Sequence, residues 1–239
     1  MAGDPFIQKL EHAGPLTEAE RTALQALPVN RRLVPARQDI VASPGVERVY
    51  LVLSGIAGRY KTLLEGSRRI VSFVLPGDLC WVHAAAASGT RDLRVGALTP
   101  CSVADFPRSQ MTDLIGTYPG IGRAMWWVTL TELSRSREWL VNDSRPAEKR
   151  LAHHFCELLV CLRAVGFASE NSFELKLTQI DLADALGISH VHINRILQGL
   201  RSKDLIVLSN QRLTIPDVPR LAAFAEFDPG YLCLSGLDF

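Results

Sequence analysis

One stretch of 39 residues constrains the fold of this chain more tightly than any other: LTQIDLADALGISHVHINRILQGLRSKDLIVLSNQRLTI, residues 177–215. Thr178 is suited to cap a helix Gln179–Leu186, because a side-chain oxygen there satisfies a free N–H of the first turn. Gly187 follows where a left-handed residue ends a helix, a conformation other side chains adopt at a cost. Ser189 caps a second helix that runs to about Leu200. Two helices that cross steeply need a small residue at the crossing, and Ala183 provides it. Leu182, Leu186, Ile188, Ile193 and Ile196 have the spacing to fill the angle. This is a helix-turn-helix pattern. Two β-type runs around Ser209-Asn210-Gln211 then read as a hairpin, or wing.

With the core face assigned, His190, Val191, His192, Asn194 and Arg195 lie at the start or on the free side of the second helix. In such a motif the N-terminal half of that helix meets base edges in a DNA major groove. Two plainer readings compete. His190 and His192 stand about 200° apart on a helix, which makes a shared metal ion unfavourable. A solvated polar face is the ordinary meaning of such residues, but here it sits on a complete helix-turn-helix frame. Across 176–212, Lys176, Arg195, Arg201, Lys203 and Arg212 outnumber Asp181, Asp184 and Asp204 by two. That mild excess suits nucleic acid without indicating it.

Upstream, Thr17 and Glu20 form a T-x-x-E capping box ahead of RTALQAL. From Leu33 to about Phe106 short β-type runs follow. In RVYLVLSG, the residues Val49, Leu51 and Leu53 alternate as in a half-buried strand. Turn signals at Ser54-Gly55, Glu65-Gly66 and Pro76-Gly77-Asp78 separate GIAGRYKTLL, RRIVSFVL and CSVADFP, predicting an antiparallel sandwich or barrel. After Pro119-Gly120 the period becomes helical. IGRAMWWVTLTELSRSREWLV aligns Trp126, Leu130, Leu133 and Leu140, with Arg137 interrupting. That stripe fits a dimer seam and also packing within its own domain. NDSRP breaks the pattern, and residues 143–146 are the expected domain boundary. A further helix places Leu151, Phe155, Leu158, Leu159 and Leu162 on one face.

The chain has 239 residues, 47% apolar and 21% charged, with a net charge of +1. These are values for one or two globular domains with real cores. The start MAGDPFIQKLEHAG lacks an apolar run suited to export, so a cytoplasmic location and no membrane partner are expected. Cys80, Cys101, Cys156, Cys161 and Cys233 are odd in number and without a CxxC pair, which predicts reduced thiols. No phosphate loop, nucleophile elbow or metal motif occurs, so no catalytic residue, metal or cofactor is expected.

The sequence resembles the Crp/Fnr family of bacterial transcription regulators over nearly its whole length. VYLVLSG and VLPGDL resemble the family's cyclic-nucleotide-binding β-roll, the long helix its dimerisation helix, and DLADALGISHVHINRILQGLRSKDLI its DNA-binding motif. The resemblance implies an α+β fold: an N-terminal antiparallel β-roll sensor at 1–117, a dimerisation helix and hinge at 118–144, and a C-terminal winged helix-turn-helix at 145–239. It implies a homodimer on a roughly palindromic double-stranded DNA site, with RNA polymerase as a further partner.

Position by position, Arg195 matches an arginine directed at guanine, a contact worth roughly 1–3 kcal/mol of discrimination. Thr178, Gln179, Ser189 and His192 match phosphate-backbone positions. His190 and Val191 stand where well-known members have a polar residue and a glutamate, which implies a different half-site. Asn194, and Ser209, Asn210 and Gln211 at the wing, complete the expected interface.

The effector positions depart from the family. Trp81-Val82-His83 replaces the Gly-Glu-Leu that grips a ribose, and Arg91 is followed by Asp92 rather than serine. A carboxylate there repels phosphate, so His83, Arg91 and Asp92 form an atypical pocket not expected to take cyclic AMP in the usual way. No cysteine precedes Cys80, which disfavours an iron–sulfur sensor. Haem on His83, thiol sensing by Cys80 or Cys156, and a site at His153, Cys156 and Glu157 are weaker alternatives, the last read as structural. A regulatory protein acting through protein contacts instead of DNA is the rival function.

Overall fold

The computed structural model describes residues 4–27, 29–41, 48–80 and 94–234. Trp81, Val82, His83, Arg91 and Asp92 lie outside them. The chain forms two compact units, one of residues 1–61 with 73–133 and the other of residues 62–72 with 134–239.

The first unit opens with helices α1 (Pro5–Glu11) and α2 (Glu18–Gln25). Along the chain come strands β1 (Asn30–Val34), β2 (Asp39–Val41), β3 (Arg48–Ser54), β4 (Ala57–Thr62), β5 (Arg68–Val74), whose residues 68–72 count with the second unit, β6 (Arg94–Ala97) and β7 (Cys101–Pro107). They form two sheets, ordered β1-β7-β3 and β2-β6-β4-β5. The β3–β7 pairing is antiparallel, with Val49 opposite Phe106 and Leu51 opposite Ala104.

Strand β3 shows the expected alternation, with Val49 and Leu51 buried and Arg48, Tyr50 and Ser54 half-buried, and adds a buried Val52 on the other face. Val49 and Leu51, with Leu53 at the margin, pack against Phe6, Leu10, Leu24 and Ile121 from the helices. Val52 and Tyr50 face the opposite way, into a second cluster with Val74, Val95 and Val103. Helices cover the face of Val49 and Leu51, and strand residues cover Val52 on the other. The turn after β5 depends on Gly77, at φ +87°, where a Cβ would come within 2.5 Å of the Pro5 carbonyl oxygen. Next to it, Asp78 pairs with Lys9 of α1.

The Thr17–Glu20 capping box forms, and Glu20 reaches further: its second carboxylate oxygen accepts the Gly120 N–H at 2.7 Å. Gly120 opens α4 (Pro119–Asn142), which follows α3 (Arg108–Thr117) and has an axial length of roughly 36 Å. Ile121, Ala124 and Val128 of α4 enter the core. Trp126, Leu130, Leu133 and Leu140 do not: they are 65%, 44%, 45% and 73% exposed. The expected stripe exists, and these four side chains stay exposed.

In the second unit, α5 (Ala147–Ala164) carries the predicted Leu151, Phe155, Leu158, Leu159 and Leu162, all buried. The helix is nonetheless dry nearly all round, because His153, His154, Cys156 and Glu157 are buried too. Glu157 is the hub. It accepts from Arg135 Nη2 at 3.0 Å, Trp139 Nε1 at 3.1 Å and the Tyr231 hydroxyl at 2.7 Å. Burial opposes its charge, while Arg135, His154 and these donors hold its carboxyl below the usual range. Burial also keeps both histidines neutral, and His154 is pushed down to about 4. Cys156 is buried with its thiol pushed far up, and Cys80 in the first unit is pushed up to about 12. Neither supplies thiolate at neutral pH, so burial decides against the redox alternative at both. All five cysteines are free thiols.

The rest of this unit is β8 (Ser172–Glu174), α6 (Gln179–Leu186), α7 (His190–Ser202), β9 (Val207–Ser209), β10 (Arg212–Thr214), α8 (Val218–Ala225) and a 3₁₀ turn at Pro229–Leu232. Its sheet has the order β8-β10-β9. Among the described residues no helix is long and apolar enough to cross a membrane.

Candidate nucleic-acid interface

Local chemistry builds the α6–α7 frame. Thr178 Oγ1 accepts the Asp181 N–H, and Asp181 Oδ2 accepts from the Thr178 N–H at 2.9 Å and hydroxyl at 2.7 Å. Asp181 thus takes the place glutamate usually holds in a capping box. The Thr178 hydroxyl proton is committed to that box, which makes this side chain part of the frame. Gly187 ends α6 in the left-handed region at φ +65°, and its N–H donates to the Ala183 carbonyl. The positive φ is what selects glycine here, since the Arg69 guanidinium that a Cβ would meet is the far end of a flexible side chain. Ser189 caps α7, its hydroxyl oxygen accepting the His192 N–H at 3.3 Å.

Ala183, Leu182, Leu186, Ile193 and Ile196 are buried where the helices cross, and Ile188 is half-buried. This fixes the rotation of α7. His190, Val191, His192, Asn194 and Arg195 are exposed together on its N-terminal half, with Val191 65% exposed. Asn194 Nδ2 donates to Gln179 Oε1 at 3.4 Å, which ties this face to the start of α6. Among the described residues none is paired with the Arg195 guanidinium.

The hairpin forms with Ser209 opposite Arg212. Asn210 and Gln211 fill its two-residue turn at φ +49° and +58°, the backbone of a primed turn with neither residue a glycine. Ser209, Asn210 and Gln211 are exposed at the tip.

A groove of about 630 Å³ runs beside the exposed face of α7, lined by Ser189, Val191, His192 and Arg195 on one side and by Pro146, Ala147, Glu148 and Lys149 on the other. The first turn of α5 opens into it with no side-chain cap on its free N–H groups. Free N–H groups, the positive end of a helix and Arg195 favour an anion here, and the Glu148 carboxylate, which opposes one, is paired with Lys203. Among the described residues no three His, Cys, Asp or Glu side chains are grouped to hold a metal ion.

Comparison with known proteins agrees with this geometry. Residues 149–224 match the family model for a Crp-like helix-turn-helix domain, and residues 35–118 match that for a cyclic nucleotide-binding domain. The chain belongs to the Crp/Fnr family. It is 27% identical over 191 residues to the nitrogen fixation regulation protein FixK of Bradyrhizobium diazoefficiens, covering 80% of this chain and 77% of that protein. It is 27% identical over 197 residues to the transcriptional activator protein FnrL of Cereibacter sphaeroides, covering 80% and 75%. The solved structure of FixK2 from Bradyrhizobium japonicum superposes with a TM-score of 0.70 at 25% identity, over 83% of this chain and 98% of that one. The chain is therefore a transcription regulator of the Crp/Fnr type.

Two residues of this regulator's frame were not singled out by sequence reasoning, Arg68 and Arg69. In the sequence they are the polar start of a β-type run, RRIVSFVL. In the fold their segment belongs to the second unit and pairs with Asp181, Asp184 and Asp143. No local signal marks a partner more than 70 residues away.

Proposed function

We propose that this regulator binds a specific, roughly palindromic DNA site as a homodimer, with α7 in the major groove. The observation that carries the reading is Arg195, without a partner among the described residues, beside exposed His190, Val191, His192 and Asn194 on a helix whose rotation is set by buried residues. Arg195 is assigned to guanine, while His190 and Val191 select a half-site distinct from that of members with glutamate at the second position. Val191 offers only apolar contact, which suits a thymine methyl. Gln179, Ser189 and His192 hold phosphates, while Thr178, whose N–H and hydroxyl are both taken by Asp181, serves by capping the helix that presents Gln179. Ser209, Asn210 and Gln211 hold the flanking backbone from the wing.

The exposed stripe of α4 supports the homodimer, since an apolar seam of this length is stabilised by covering itself with a second copy. Two-fold symmetry then sets the recognition helices about 34 Å apart, one turn of DNA. The signal runs from the β-roll through α4 and the 143–146 hinge, and RNA polymerase is the downstream partner; both follow from family membership. Val82 and Asp92 support an effector pocket that does not take cyclic AMP in the usual way. Calorimetry tests that point: micromolar binding of cyclic AMP, abolished by Arg91→Ala, contradicts it.

Selection from a random duplex pool tests the central reading. The wild type is expected to enrich a palindrome that Arg195→Ala loses, with affinity falling steeply as salt rises. Binding that ignores salt and sequence, or an enriched site unaffected by Arg195→Ala, contradicts it.

A further inference from the structure

Asp181 and Asp184 create an electrostatic problem for a DNA-binding helix pair. Both stand on α6, one turn apart, beside the face proposed to meet phosphates, and both are largely shielded from water, at 6% and 18% side-chain exposure. Two adjacent carboxylates repel each other and repel phosphate. The chain answers this with a segment over 100 residues away. Arg68 Nη2 donates to Asp181 Oδ1 at 2.6 Å and Arg68 Nε to Asp184 Oδ2 at 2.7 Å. One planar guanidinium thereby spans both carboxylates, which an ammonium, acting as a point charge, does not reproduce.

Arg69 engages the other end of the same helix. Its Nη2 holds the Asp143 carboxylate at 2.9 Å, and its Nη1 lies 3.5 Å from the Asp184 carbonyl oxygen. Arg150, also bound to Asp143, donates to the Leu186 carbonyl oxygen at 2.5 Å. Cations at the last carbonyls of a helix complement its negative end. The hydrogen bonds continue toward the recognition helix. Asp181 holds the Thr178 cap, and the next residue, Gln179, holds Asn194 of α7.

We propose that the Arg68–Arg69 segment is a positioning arm of the DNA-binding unit: without touching DNA, it neutralises Asp181 and Asp184 and holds α6, and through it α7, in the presenting orientation. This rests on the DNA-binding reading above. The strand that carries the arm continues to Val74 in the first unit's core.

The test is a charge swap in the full-length protein, with amide hydrogen exchange of α6 measured without DNA and affinity measured on the selected duplex. Arg68→Glu is expected to speed α6 exchange and to weaken DNA binding about tenfold or more, as three clustered carboxylates repel. Arg68→Glu with Asp184→Arg restores opposite charges and is expected to recover most of both. Arg68→Lys is expected to fall between wild type and Arg68→Glu. Unchanged exchange and affinity in Arg68→Glu overturn the arm. So does a loss of affinity that the swap leaves unrepaired, because Arg68 then faces DNA itself. If the wild type selects no DNA at all, the DNA-binding reading fails, and α6 exchange alone decides the arm: faster in Arg68→Glu and recovered in the swap supports it, unchanged overturns it.

Discussion

Helices α4 and α5 follow one another along the chain, yet they treat their side chains in opposite ways. Helix α4 leaves Trp126, Leu130, Leu133 and Leu140 in water. Helix α5 buries two histidines and a glutamate. An apolar stripe needs only area, so any complementary stripe satisfies it, including the same stripe on a second copy. A buried carboxylate needs donors at fixed positions, and Glu157 finds them in Arg135, Trp139 and Tyr231 of its own chain. On the proposed homodimer reading the first helix is completed by association, whereas the second is completed by its own fold.

The largest effect that can test this contrast is the loss of Glu157. Glu157→Ala leaves Arg135 buried without its carboxylate and is expected to cost about 3–5 kcal/mol in chemical denaturation. A loss below about 1 kcal/mol, the range of an exposed pair, breaks the comparison on the α5 side.

The buried histidines set a pH dependence for the same region. His154 is held neutral chiefly by burial, with a folded value near 4 against an unfolded 6.5. As pH falls from 6.5, the unfolded chain takes up this proton first. Stability is therefore full above 6.5, declines by roughly 1.4 kcal/mol per pH unit for this group, and levels off below about 4. His153, lowered as well, steepens the decline. Glu157, His153, Arg150 and Asp143 act on His154, and of these Arg150 and His153 oppose its protonation. His154→Gln is expected to remove about one proton's worth of slope in denaturation curves taken across that window. An unchanged slope means that His154 is not the titrating group.

On the α4 side, Trp126→Ala is expected to weaken self-association by about 2 kcal/mol, roughly thirtyfold in dissociation constant, with the monomer fold intact. Sedimentation equilibrium measures this directly. A wild type that stays monomeric at micromolar concentration breaks the comparison there.

The smallest effect sharpens a further contrast, between the two turns of the DNA-binding unit. Gly187 makes its left-handed residue cheaply, whereas the wing makes two with Asn210 and Gln211. Gln211→Gly is expected to raise stability by about 0.5–1 kcal/mol while weakening DNA binding, because it relieves strain and removes a phosphate contact. Thermal denaturation and affinity read the two effects separately. A gain in both argues against a role for the Gln211 side chain.

Much of this molecule was legible from adjacent residues. Thr17 with Glu20, and Thr178, Gly187 and Ser189, announce helix ends because caps and left-handed turns are satisfied within four residues. The crossing at Ala183 and the α4 stripe follow from helical period alone. Exposure of His190 to Arg195 followed once the opposite face of α7 was assigned to the core. Other features were not legible. β3 alternates in sequence as a one-sided strand, but Val74 and Val95 of other strands also bury Val52 on its second face. The sequence groups His153 and Glu157 on α5 as structural residues, but only Trp139, Phe227 and Tyr231, closing over this region, show what satisfies them.

Short-range chemistry thus determined which segments become helices, turns and strands, and which residues the recognition helix leaves free. That chemistry operates between neighbours, through backbone hydrogen bonds and steric limits on φ, and so it is written in order along the chain. Tertiary structure alone decided where the charges are answered. Arg68 reaches Asp181 and Asp184, and Arg135 and Tyr231 reach Glu157. An ion pair or buried donor is chosen by distance in space, and sequence separation carries no record of that distance.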